Sequence, residues 1–443
     1  TECYPQDSDG DNIIDSIDQC PDTPEGEDVD ENGCALSQKD TDNDGITDDI
    51  DQCPETPEGD EVNEFGCAAA ERDTDGDGVN DNIDQCPETP EGLTVNETGC
   101  EIDTIYIDPT NGITVKCPNA NVGDVAEING KTYVVAGSVN QVLEIIDDLD
   151  ENTCVCTSKF TSMREWFRYS TGIFESIENW DVSNVTDMYE MFREYKVPFE
   201  QNLNFWDVSN VRYMTRMFMG AEFFNGGISN WDVSSVIDMV GMFGEAPGLK
   251  NLKEFNQDLS NWDVSSVTNM AIMFKNASVF NSDLSAWDVS NVTSMGEMFG
   301  GAIEFNSDIS AWDVSNVTSM SGMFEFATSF NSDISNWNVS NVTSMNGMFR
   351  SAVSFNSDIS NWNVANVTVT NEMFENASSF DSNLSNWNTI RVTNMSSMFK
   401  SADIFNQNLS SWNTERVSDC ASFSNGASSW TQPKPNFTNC NPD

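Results

Sequence analysis

The chain of 443 residues has no histidine, and only 19 Lys and Arg stand against 74 Asp and Glu, for a formal net charge of −55. Without imidazole it lacks the side chain that titrates nearest neutrality, and with it His-based metal sites and the commonest general base. The shortage of cations excludes nucleic acid as a partner, because phosphate contacts need clustered Lys and Arg. It disfavours anionic membrane surfaces for the same reason. No apolar run approaches the length that crosses a bilayer. No phosphate-binding loop and no catalytic dyad in a distinctive setting occurs, so the chain reads as non-enzymatic, with a hydrolase built on aspartates as a remote alternative. No leader segment is visible, as expected of a processed N-terminus.

What is present is repetition. Trp262, Trp287, Trp312, Trp337, Trp362, Trp387 and Trp412 recur every 25 residues, with earlier copies at Trp180, Trp206 and Trp231. A fixed period of this size marks a stacked repeat architecture. An insertion at 247–251 lengthens one step, and the last copy decays near Phe423. Within a unit, Ile334, Trp337, Val339 and Val342 follow the strand half of a leucine-rich repeat, with Trp-x-Val as a short inward-facing strand. Met345, Met348, Phe349, Ala352 and Phe355 fall at the spacing of one helical face, which Thr343 or Asn341 could cap. The expected fold class is therefore an α/β solenoid, a leucine-rich-repeat-like array of short parallel strands and short helices. The Trp, Met and Phe rows are its buried spine. Trp166 and Trp430 lie off the ladder, in exposed or capping positions.

The residue after each Trp is Asp in six copies, Asp181, Asp207, Asp232, Asp263, Asp288 and Asp313, and Asn in Asn338, Asn363, Asn388 and Asn413. Between two inward residues it should project from the concave face. Stacked like charges are destabilising, so the row implies either side chains tied to turns or a face for a ligand or Ca²⁺.

Residues 1–103 hold 34 of the acids and a second repeat, of period 33. Its loops offer Asp7, Asp9, Asp11, Asp15 and Asp18; Asp40, Asp42, Asp44, Asp48 and Asp51; and Asp73, Asp75, Asp77, Asp81 and Asp84. These fill positions 1, 3, 5, 9 and 12 of an EF-hand-like spacing, with main-chain carbonyls expected from Ile13, Ile46 and Val79 at position 7. Gly45 and Gly78 occupy the turn at position 6, and Asn12 replaces glycine in the first copy. Asp rather than Glu stands at position 12, and no flanking helices are apparent. Carboxylates this close repel without a cation, and many flexible oxygens favour Ca²⁺ over Mg²⁺.

The Asp-x-Asp-x-Asp-Gly loops followed by Cys-Pro-x-Thr-Pro-Glu-Gly resemble thrombospondin type 3 repeats in their bacterial form. The resemblance implies Ca²⁺ wrapped by irregular loops in a stalk. Each copy carries two cysteines, Cys20/Cys34, Cys53/Cys67 and Cys86/Cys100. Pairing within a copy is the favoured reading; pairing Cys34 with Cys53 and Cys67 with Cys86 is the rival. Cys420 and Cys440 are expected to staple the C-terminal end. The Trp-Asp-Val-Ser-Asn-Val-Thr-x-Met-x-x-Met-Phe string resembles BspA-like bacterial surface repeats of about 25 residues, which implies a cell-surface protein associated with adhesion and without catalytic residues.

The segment between the two repeats reads as short strands at 105–107, 113–115 and 132–135 and a helix from Val139 to Leu149. The expected organisation is residues 1–103 as calcium repeats, 104–156 as an N-terminal cap, 157–423 as the repeat array and 424–443 as a C-terminal cap. An even cysteine count points to an oxidising compartment. The favoured function is a secreted or cell-surface adhesion protein, on a bacterial outer surface, that binds an extracellular protein or glycan. The alternative is a structural subunit of a filament or outer-membrane-associated assembly that self-associates.

Overall fold

The computed structural model describes residues 6–57, 59–68, 70, 72–89, 95–100, 104–147, 152–170, 177–199, 201–245, 252 and 254–442. The insertion at 247–251 lies outside them. The chain forms two compact units, residues 1–104 and 105–443.

The first unit is built from loops. Its regular structure among the described residues is a 3-10 turn, Leu36–Gln38, and two isolated antiparallel bridges, Val29↔Ala35 and Val62↔Ala68. The same bonds recur in each copy. The N–H of Asp18, Asp51 and Asp84 donates to the carbonyls of Ile14, Thr47 and Asn80. The buried hydroxyls of Thr23, Thr56 and Thr89 donate to the carbonyls of Gly33, Gly66 and Gly99. Disulfides Cys20–Cys34, Cys53–Cys67 and Cys86–Cys100 close every copy on itself, each 14 residues apart. Asn12 adopts φ 76°, the left-handed conformation that Gly45 and Gly78 supply in the later copies.

The second unit opens with β1 (Tyr106–Ile107) paired antiparallel with β2 (Val115–Lys116). Next comes a three-stranded sheet of β3 (Val125–Ile128), β4 (Lys131–Val135) and β5 (Thr153–Cys156), with β4 and β5 parallel. Helix α1 (Val139–Asp147) connects them. Disulfide Cys117–Cys156 ties β2's end to β5. Val142 and Val155 join the same core as Met163, Phe167 and Trp180, so this segment covers the first repeat.

The 25-residue units do not form the expected α/β leucine-rich-repeat-like solenoid. Among the described residues of 157–423 there is no α-helix and no strand, only a 3-10 turn (Leu203–Phe205) and isolated parallel bridges such as Ser319↔Ser344. The apolar residues at helical spacing are buried, but the backbone beneath them is a chain of turns. The N–H groups of Met345, Gly347, Phe349 and Ser351 donate to Val369, Asn371, Met373 and Glu375 in the next unit. Those of Met348, Arg350 and Ala352 donate to Met345, Gly347 and Phe349, three residues back. A helix would spend every donor on the carbonyl four residues back; here every second donor is spent sideways. The conformational cost recurs two and six residues after the unit's first Met, as at Glu190 (φ 52°), Glu194 (55°), Ile272 (53°) and Phe326 (58°). A left-handed β-branched residue such as Ile272 is a steric outlier. Neither Thr343 nor Asn341 caps a helix. Each bonds a carbonyl of the preceding unit, Thr318 and Ser315.

Packing compensates. Trp312 and Trp337 stack with centroids 6.4 Å apart and planes 1° from parallel. Phe324 lies 3.7 Å from Phe330 within its unit and 5.8 Å from Phe349 in the next. Burying one such side chain contributes roughly 1.5–3 kcal/mol. From Trp206 to Trp412 the ladder's indole N–H groups are satisfied too: Trp337 Nε1 donates to the Ile309 carbonyl at 3.0 Å and Trp362 to Ile334 at 3.1 Å. Trp166 packs edge-on against Trp180 at one end, and Trp430 edge-on against Phe405 at the other, where Cys420–Cys440 closes the tail.

Candidate calcium sites and the array surface

In the first unit the carboxylates at positions 1, 3 and 5 converge. Asp7, Asp9 and Asp11, then Asp40, Asp42 and Asp44, then Asp73, Asp75 and Asp77 each bring one oxygen within 4.8 Å of the others. Turn bonds place them: Asp7 accepts from the N–H of Gly10 and Asn12, Asp40 from Gly45, and Asp73 from Gly76 and Gly78. Position 3 reaches further. Asp9, Asp42 and Asp75 accept the N–H of Thr23, Thr56 and Thr89 at 2.8, 2.7 and 2.6 Å. That bond, first among others, holds the Asp9 carboxyl below its usual range.

Position 12 joins the cluster over a glycine. A Cβ on Gly33 would stand 2.2 Å from Asp18 Oδ1 and 3.2 Å from Asp11 Oδ2. On Gly66 it would meet Asp51 Oδ1 at 2.0 Å and Asp44 Oδ2 at 3.0 Å, and on Gly99 Asp84 Oδ1 and Asp77 Oδ2 at the same two distances. The three position-5 oxygens, Asp11 Oδ2, Asp44 Oδ2 and Asp77 Oδ2, are buried without a hydrogen-bond partner, as is Asp40 Oδ1. A buried carboxylate oxygen without a donor is costly unless a cation meets it. Desolvation, then the charges of Asp75, Asp84 and Asp73, push the Asp77 carboxyl up. The oxygen-only donor set and its orphaned atoms fit a hard divalent ion held by positions 1, 3, 5 and 12.

Position 9 is placed differently. Asp15, Asp48 and Asp81 accept both the N–H and the hydroxyl of Ser8, Thr41 and Thr74, so they clamp the loop's second residue. At position 7, the N–H groups of Ile13, Ile46 and Val79 donate to Asp11, Asp44 and Asp77. The spacing of the Asp loops alone does not point to the glycines at 33, 66 and 99 or the threonines at 23, 56 and 89. Their constant place in the 33-residue period is the signal that could have found them.

In the array, the residue after each Trp is a turn former. Asp207, Asp232, Asp263, Asp288 and Asp313 each accept the N–H of the Ser two residues on. Asn338 and Asn363 accept the equivalent N–H from Ser340 and Ala365. The Asp-to-Asn change thus keeps the same acceptor oxygen. Asp181 is buried and also accepts from Ser158. A second row, outside the sequence expectation, does the same: Asp258, Asp283, Asp308, Asp333 and Asp358 bond Ser260, Ser285, Ser310, Ser335 and Ser360. Hydrogen bonds from these serines hold the carboxyls of Asp263, Asp288 and Asp313 in the first row, and of Asp258, Asp283, Asp308, Asp333 and Asp358 in the second, below their usual range.

Comparison with known proteins respects the same division of the chain. Residues 25–61 and 63–92 match the thrombospondin type 3 repeat, a calcium-binding repeat of extracellular proteins. No curated protein and no solved structure shows a significant match. Residues 148–251, 248–353 and 327–437 match the family described as Mycoplasma protein of unknown function, DUF285. That match spans well over half of the chain, in three successive passes across the stacked units; the protein is a member of the DUF285 family that carries thrombospondin type 3 repeats ahead of its array.

Proposed function

We propose that this extracellular protein works by binding rather than catalysis, as a surface adhesion protein of a bacterium related in role to BspA-like proteins. Its first unit takes up Ca²⁺ and acts as a stiffened stalk. Its array presents a repeated polar surface to an extracellular protein or glycan. The observation that carries the calcium half is the orphaned position-5 oxygen facing a second carboxylate over a glycine, repeated in three copies. Support for the binding half comes from where the units differ. The Trp, Met and Phe positions hardly change, whereas residues two and five after the first Met run through Glu, Arg, Met, Gly, Ile, Lys and Ser.

The test is attachment of the labelled full chain to cells or matrix, with Ca²⁺ and then with EDTA, alongside light scattering. Saturable attachment by a monomer supports the reading. Ordered self-association without attachment would replace it with the filament subunit. Melting of residues 1–103 that ignores Ca²⁺ would remove the calcium half.

A further inference from the structure

The three calcium loops are not equivalent. In each, the oxygens of positions 1, 3 and 5 lie within 4.8 Å of one another, but Asp7 and Asp73 are exposed where Asp40 is half-buried. The position-1 carboxylates also differ in what they meet. Asp7 Oδ1 accepts the N–H of Gly10 at 2.8 Å and Asp73 Oδ1 that of Gly76 at 2.9 Å, while the second oxygen of each accepts from position 6. Asp40 accepts from Gly45 at Oδ2, at 3.0 Å, and its Oδ1 is buried with no donor. The middle loop therefore holds two orphaned oxygens, Asp40 Oδ1 and Asp44 Oδ2, where the outer loops hold one each, Asp11 Oδ2 and Asp77 Oδ2.

One residue accounts for the difference. Position 4 is glycine in the outer loops and Asn43 in the middle one. Gly10 and Gly76 turn at φ 86° and 77°, and Asn43 at 63°. A side chain confines the left-handed region to about 50–70°, and glycine moves freely beyond it. At the angle of Asn43 the N–H of position 4 makes no bond to Asp40. Nor does a cation stand in for it: Lys39, the neighbouring residue, pairs with Asp30 at 2.6 Å.

We propose that the middle loop is the tightest of the three calcium sites and fills first, with Asn43 as the residue that sets its rank. This rests on the calcium half of the function above. A buried carboxylate oxygen without a donor has the most to gain from a cation, and an all-oxygen loop takes Ca²⁺. In the outer loops a glycine N–H already meets part of that need. The first unit then answers calcium in two steps, its middle copy at low concentration and its outer copies at higher.

Calorimetric titration of the chelator-stripped full chain with Ca²⁺ tests this. The expected result is one binding phase about tenfold tighter than the rest. Asp44→Asn should remove that phase and leave the weaker one. Asn43→Gly keeps every carboxylate and should weaken the tight phase about tenfold, to the level of the outer loops. The reverse change, Gly10→Asn, should give the first copy a phase as tight; a Cβ there meets nothing within 4 Å. Sites of equal affinity, a tight phase that survives Asp44→Asn or that Asn43→Gly leaves unmoved, or a first copy that Gly10→Asn does not tighten would overturn the ranking and leave the calcium reading standing. A chain that takes up no Ca²⁺ would remove both.

Discussion

The two units use one local device for opposite ends. In both, an Asp carboxylate accepts an N–H two residues further along and fixes a turn: Asp51 with Cys53, and Asp308 with Ser310. In the array this role accounts for the side chain, and Asn serves as well. In the first unit the position-5 aspartates hold a second oxygen that is buried and unpartnered. Among its described residues the first unit also lacks a sizeable hydrophobic core, while the array has a continuous one. Covalent closure and cations must do for the one what Trp and Phe stacks do for the other.

The sharpest way to break this contrast is to hollow the core. Trp337→Ala should cost about 3–5 kcal/mol, read by denaturant unfolding of the array, and should leave Ca²⁺ uptake unchanged. Cys53→Ser with Cys67→Ser should cost the first unit about 3 kcal/mol, seen as proteolysis within residues 1–104, with the array's melting temperature unmoved. Removing Ca²⁺ should open the same unit. At a hundredfold excess over its dissociation constant the ion would contribute about 2.7 kcal/mol, and Gly66→Ala should abolish that dependence in its copy. Ile272→Gly should raise array stability by up to about 1 kcal/mol in denaturant unfolding, through release of the left-handed strain.

Acid gives the smallest effect and the finest test. Asp263 and Asp313 in the first row and Asp283 and Asp308 in the second have depressed carboxyls in the folded chain. Their stability contribution is therefore present above the ordinary Asp range and is lost as pH falls through about 4 and below. Units carrying Asp in both rows, such as that of Asp308 and Asp313, should loosen first in hydrogen exchange. Units carrying Asn in both, such as that of Asn383 and Asn388, should hold.

Much of the molecule is legible in its sequence. The 25-residue period, the buried Trp, Met and Phe rows and the Asp loops come directly from spacing. So does the helix expected from Val139 to Leu149, which the structure describes at Val139–Asp147. The helix expected at Met345–Phe355 fails because side-chain periodicity reports which residues face inward, and not where the N–H groups go. A turn with left-handed residues at Gly347 and Ser351 presents the same apolar face. The position-12 glycine contact does not follow from the Asp-loop spacing because it joins residues 15 apart through a loop, as Asp51 and Gly66 do; only the glycine's constant place in the period marks it.

The sideways bonding has one more consequence. Beyond its own turns, an interior unit draws its main-chain partners from the units on either side, at an offset of about one period. Adding or deleting 25 residues would leave every remaining contact in place. The array is then a ruler: copy number sets the distance between its two finished ends, and that distance can change by recombination without any redesign of the parts.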